Sequence, residues 1–227
     1  MSHKQNFPLI KPQIEKVLKQ IILKDLSKGR KDFDKPHTEA VVHWMKYLLK
    51  NIQSLQPKNS GKNSRKSSTL DPQVLITAAY AHDWGYVGLF SESKANSLDK
   101  ILKNKKLHMI RGANMIERLL HQRLSRHFTQ NQILKVAHLV LFHDKIKNLI
   151  NEDEILLMEA DTLGMLDTNF IKPTFSKKDH NNFMKKGIRG LRLPHFKHPE
   201  AKKIALKLIE KGKSFYITPT PLLLGVL

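Results

Sequence analysis

Apolar positions along this chain recur at helical spacing almost throughout. In "PQIEKVLKQIILKDL" (12–26), Ile14, Val17, Leu18, Ile21 and Ile22 fall at i, i+3, i+4 intervals, which predicts an amphipathic helix. "PHTEAVVHWMKYLLKNIQSL" (36–55) predicts a second, with Pro36 suited to a first helical position. "LDPQVLITAAYAHD" (70–83) supplies Asp71 as an N-cap and Pro72 behind it, and Val74 to Ala81 are apolar on nearly every side, as in a helix surrounded by protein. Further helices are expected at about 107–126, 130–149 and 153–167, and a last one from Pro199 to a C-cap signal at Gly212. Strand signals are scarce and no internal repeat is visible. The expected fold class is all-α. Segment 168–198 mixes Pro, Lys and Asn with short apolar pieces and gives no clear period.

Composition adds a bias toward anionic partners. Lys and Arg number 40 against 20 Asp and Glu, a formal charge of +20, which suits nucleotides, nucleic acid or an anionic surface. A merely soluble cationic surface would look the same. There is no cysteine, so any metal must be held by His, Asp or Glu; that absence fits a reducing cytoplasm, the compartment expected. No apolar run approaches the roughly 20 residues of a membrane span, and the first residues lack a signal-peptide core. "QPKNSGKNSRKSS" carries four positive charges and reads as a basic loop over 56–69.

Candidate chemistry lies in apolar helices holding groups that need partners, because an unpaired buried polar group costs several kcal/mol. "AAYAHDWGY" ends a buried helix in His82 and Asp83; "ILLMEADTLGML" sets Asp161 in a helix apolar on almost every face. Each has an ordinary explanation. A helix-terminal His can be satisfied by the dipole, Asp83 can cap the next turn, Asp161 can bond to backbone or to a lysine, and His37 can be a plain first-turn residue. His138 and His143 are five apart, roughly 140° round a helix, too far to share one ligand. His138 is expected to be a core residue with one hydrogen bond, and His43 and Trp44 to be packing residues. His108 opens "LHMIRGANMIERLL", where Gly112 and Ala113 would admit a neighbouring helix. His3, His121, His127, His180, His195 and His198 sit among charged or loop residues, as surface groups do.

The order of these groups is more informative than any one of them. "PHTEAVVHW", "AAYAHDWGY", "LHMIRGANMIERLL", "VAHLVLFHD" and "EADTLGMLD" together resemble the HD-domain superfamily of metal-dependent phosphohydrolases over roughly residues 30–212, with "HPEAKKIALKLIEKG" similar to a closing helix of that family. The 45 residues from His37 to His82 are long for it, as an inserted basic loop would explain. The resemblance implies a compact multi-helix bundle: an N-terminal helix (1–29) packed on the core, a hydrolase domain (30–212) with the 56–69 insertion, and an apolar tail (213–227).

It also implies that His37, His82, Asp83 and Asp161 hold one divalent ion and that His108 and His143, sharing Asp83, match the ligands of a second. One or two ions of Mn, Fe, Mg, Zn or Ni suit such a mixed N/O set. The activity implied is hydrolysis of a phosphoester or phosphoanhydride, in the first instance of a nucleotide, by metal-activated hydroxide. Asp83 and Arg111 are the candidate catalytic residues. Arg111, one turn past His108, is also the first candidate for phosphate, followed by Lys105 and Lys106, although solvated surface cations are the ordinary explanation for all three. The alternatives are an HD-type nuclease and a non-catalytic basic helical protein that binds nucleic acid.

Overall fold

A computed structural model describes residues 8–30, 32–55, 70–90, 98–172 and 176–213. The basic loop and the tail beyond residue 213 lie outside the described residues. All described regular structure is helical. Pro12 starts α1 (Pro12–Leu18), which runs through a wider π-helical stretch, Lys19–Leu23, into the short α2 (Lys24–Leu26). Ile14, Leu18, Ile22 and Leu26 from this arm are buried in the same core as the rest of the chain.

Two long helices and a buried one build the centre. α3 (Asp34–Leu55) packs against α4 (Pro72–Ala81) and α7 (Glu152–Leu166), and α5 (Leu98–Arg123) packs against α6 (Gln130–Phe142). The Asp71 carboxylate accepts from the amides of Gln73 and Val74, which fixes the start of α4 as its sequence predicts. Every residue from Val74 to Ala81 is buried, as expected of a helix apolar all round. Within the unclear segment 168–198, residues 177–195 form helix: α8 (Lys177–Asn182), a π-helical stretch Phe183–Arg192 and a 3₁₀ turn Leu193–His195, before α9 (Pro199–Lys213). Its pattern is hard to read because a π coil departs from the 3.6-residue period.

Two glycines bring elements close enough to shape the site. Gly112 of α5 lies against Val140 of α6 and the backbone of Gly85, the close approach that Gly112 and Ala113 predict. Gly85 sits in the 3₁₀ turn Trp84–Tyr86, and a Cβ there would overlap the His108 carbonyl and come within 2.6 Å of the Gly112 amide. Neither is a flexible side-chain end, so Gly85→Ala must push the turn off α5. The expected loss is roughly 1–3 kcal/mol, read as a fall in thermal midpoint of about 2–4 °C per kcal/mol.

The start of α7 depends on a charged cap. Glu154 accepts from the amides of Ile150 (2.9 Å) and Asn151 (3.0 Å) and from the His138 ring (2.7 Å). The His138 side chain is 39% exposed, so it is a capping partner at the surface and not the core residue expected from its helix. Burial opposes ionisation of Glu154, but the bond from His138 and the two amides outweighs it and brings the carboxyl down from 4.5 to about 2. A depressed carboxyl stabilises the fold above its unfolded value and loses that contribution as pH falls from about 4.5 toward 2. Glu154→Gln should therefore flatten the acid side of the stability–pH curve, measured by urea titration at pH 2 to 6.

Candidate metal centre

Six polar side chains from five elements meet at one end of this core. His37 comes from the first turn of α3, stacked on Phe33 with centroids 5.2 Å apart. His82 is the C-cap of α4, Asp83 follows it, and His143 is the C-cap of α6. His108 comes from α5, its ring against that of Tyr86 at 3.8 Å, and Asp161 comes from α7. All six are at most 8% exposed.

They form two groups sharing one carboxylate. In the first, the Nε2 atoms of His37 and His82 lie 3.2 Å apart, and Asp161 Oδ1 lies 3.1 and 3.7 Å from them. Asp83 Oδ2 is 3.7 Å from each imidazole. In the second, His108 and His143 place their Nε2 atoms 3.4 Å apart, and Asp83 Oδ1 lies 3.5 and 3.7 Å from them. Ligands bound at about 2.0–2.2 Å to one ion at tetrahedral or octahedral angles stand about 2.8–3.6 Å from one another. Both groups match that spacing closely, and Asp83 offers one oxygen to each.

Hydrogen bonding selects the proton positions that a metal requires. The Nδ1 atoms of His82 and His143 donate to the carbonyls three residues back, Ala79 (2.9 Å) and Val140 (2.7 Å). In the neutral ring this leaves the Nε2 lone pair directed into the site. Their Nε2 atoms face those of His37 and His108 at 3.2 and 3.4 Å, where a shared cation or proton would satisfy both rings. Burial keeps His82 below its usual value against the pull of Asp83 and Asp161, and brings His108 down to about 4. Burial would lower His143 as well, but the Asp83 hydrogen bond and the neighbouring Asp144 raise it. Asp83 is held well below the carboxylate range despite its burial, chiefly by His82 and then by His143. The donor set therefore fits one or two divalent ions.

Two buried arginines hold the carboxylates from behind. Arg192, from the π-helical stretch, donates to Asp161 Oδ2 (2.8 Å), Thr162 Oγ1 (3.1 Å) and Asp144 Oδ1 (2.6 Å). Asp161 thus has one oxygen on the arginine and the other on the histidines. Arg30 pairs with Asp34 at 2.6 Å and approaches Asp83 Oδ2 at 3.5 Å, its guanidinium lying over the rings of Phe33 and Tyr86. Lys105 reaches Asp144 at 3.1 Å. Arg30, Arg192 and Lys105 thus meet four carboxylates in this shell, Asp34, Asp83, Asp144 and Asp161.

A cavity of about 620 Å³ opens on both groups, faced by His37, Asp83, His143 and Asp161 together with Arg30 and Arg192. The expected cations are placed differently from one another. Lys105 is on the cavity wall, whereas Arg111 turns away and donates to the Val87 carbonyl (3.0 Å), and Lys106 is exposed outside the wall. Arg30 and Arg192 are the arginines that line the cavity beside the two groups. An i, i+3 spacing puts Arg111 on the His108 side of α5, but Val87 beyond the 3₁₀ turn captures it first. His180, expected at the surface, lines the cavity; His198, likewise expected there, is largely buried with Nδ1 2.7 Å from Glu159. Asp144 was open to discovery, since "HD" recurs at His143-Asp144. Arg192 carried no signal, lying in a segment without a readable period.

An all-α bundle with paired His/Asp groups facing a cavity defines a helical scaffold with two clusters that could hold metal. The model of the HD domain family matches residues 36–166, a span that contains all six side chains, and the chain belongs to that family, part of a superfamily of metal-dependent hydrolases. Comparison with curated proteins and with solved structures found no match. No helix among the described residues is long and apolar enough to cross a membrane.

Proposed function

We propose that this chain hydrolyses a phosphoester or phosphoanhydride bond in a small phosphate-bearing molecule, with His37, His82, Asp83, His108, His143 and Asp161 as its metal ligands. The carrying observation is the position of Asp83, whose two oxygens lie 3.5–3.7 Å from four imidazole nitrogens in two separate groups. Divalent ions bound there supply a Lewis acid and a water acidic enough to ionise near neutral pH.

The chain's own residues do the rest. The Nδ1 bonds to Ala79 and Val140 aim two imidazoles before any ligand arrives, and Arg192 fixes the rotamer of Asp161. Arg30, Lys105 and Arg192, all on the cavity wall, are candidate cations for phosphate oxygens. We assign this chemistry to a domain spanning 30–212, with the N-terminal helix as its buttress. Convergence of all six side chains favours catalysis over a relic fold that only binds nucleic acid.

Nucleotides head the substrate panel because of the +20 charge and the family resemblance. The test is metal content of purified protein, anomalous scattering to locate the ions, and turnover of nucleotides, phosphodiesters and simple phosphate esters with each metal. Metal in both groups and metal-dependent phosphate release are expected. No bound metal, and no turnover with any ion, would refute the proposal.

A further inference from the structure

The cavity leading away from the two groups has walls of a particular chemistry. From α5 come Ile101 and Leu102, from α7 Met165, from the π-helical stretch Met184 and Leu191, and from α9 Ile209. Leu102 is 56% exposed, a large apolar side chain left in water at the wall of this cavity. Cations also face the cavity at Lys172, Arg189 and Lys213, but the uncharged polar side chains on its wall beyond the polar end are only Thr168, His180 and Asn181 among the described residues.

Such a wall is a poor partner for a nucleobase. A base brings several donors and acceptors, and each one buried without a partner costs about 1–3 kcal/mol. Stacking is not an easy substitute. Three Phe or Tyr rings line the cavity, Phe33, Tyr86 and Phe183, and the first two are already engaged: Phe33 with Arg30 and His37, and Tyr86 with Arg30 and His108. A volume of about 620 Å³ is in the range of small-molecule sites, and aliphatic lining rewards an aliphatic occupant.

We infer that the substrate of this site is a phosphorylated amphiphile, with its phosphate at the His/Asp groups and an extended aliphatic chain along Leu102, Met165, Met184, Leu191 and Ile209. The inference rests on the proposed phosphohydrolase function for the position of the phosphate, and on the cavity wall alone for the chain. It changes the expected substrate from a nucleotide to an alkyl or isoprenoid phosphate.

The test uses n-alkylphosphonates from butyl to decyl, whose C–P bond resists hydrolysis, titrated by calorimetry into the full chain with and without Mn²⁺, with AMP as comparison. A methylene moved from water to an apolar wall is worth about 0.8 kcal/mol, or about fourfold in affinity. Affinity is expected to rise at least 100-fold from butyl to decyl, and the octyl compound to bind more tightly than AMP. Leu102→Gln, at an exposed position, and Met184→Gln should each flatten that chain-length dependence. A rise of less than tenfold, or tighter binding of AMP, overturns the inference. The two proposals fail separately. Nucleotide turnover with a flat chain-length series would leave the hydrolase standing and remove the amphiphile, whereas a steep series in a protein that binds no metal would do the reverse.

Discussion

Asp83→Ala should lower metal-dependent turnover by on the order of a thousandfold while leaving the helical content unchanged. The carboxylate is the one group that touches both sets of imidazoles, at 3.5–3.7 Å. Its removal leaves His37, His82 and Asp161 as a depleted first group and only two imidazoles in the second. Several kcal/mol of charge stabilisation depend on a correctly held ion, and about 4 kcal/mol is a factor of a thousand in rate. The fold should survive, because Arg30, the cation nearest Asp83 Oδ2, keeps its shorter pair with Asp34. Metal analysis should show at least one ion fewer than in wild type. Added metal should raise the thermal midpoint of the wild type more than that of the variant, since a ligand stabilises only the state that binds it. Equal turnover by the two proteins would remove Asp83 from the mechanism. His108→Ala separates the groups: it takes a ligand from the second and none from the first.

Arg192→Met should destabilise the metal-free protein by about 3–5 kcal/mol, the usual cost of removing one partner from a buried ion pair. The guanidinium is only 7% exposed and serves two carboxylates, Asp144 and Asp161. Burial favours protonation of Asp161, and Arg192 is the leading influence that keeps it ionised, followed by His37 and His82. Without the arginine, Asp161 either takes up a proton or remains as an uncompensated charge, and in both cases it becomes a poorer ligand. Metal should recover part of the lost stability, because a cation at the first group offsets the same carboxylate from its other oxygen. Denaturant titrations with and without metal read both effects. A variant as stable as wild type in the absence of metal would show that this pair contributes little to the fold.

Much of the fold was legible in the chain because helices announce themselves locally. Apolar spacing located the helix at 36–55, and Asp71-Pro72 marked the start of α4 to the residue. The helix near 107–126 begins earlier, at Leu98: Leu98, Ile101 and Leu102 fall at i, i+3, i+4 spacing, but Lys100, Lys103, Lys105 and Lys106 mask that short stripe. The candidate ligands were legible for a related reason: a His or Asp inside an apolar helix stands out as a group requiring a partner, and six of them in family order narrowed the choice. Arg111 shows where that reasoning stops. Its position along α5 was read correctly, but its hydrogen bond to Val87 depends on a turn 24 residues away in sequence.

The sequence by itself determined an all-α bundle, since helical period is a property of short stretches, and the resemblance of its motif order to the HD family named the candidate metal-holding side chains. The tertiary structure alone decided that Asp83 divides its oxygens between two groups, that Arg192 stands behind Asp161, and that the cavity beyond them is lined with aliphatic side chains. Those outcomes depend on how α3, α5, α7 and the π-helical stretch pack around one point. No local pattern encodes a distance between residues brought together from opposite ends of the chain.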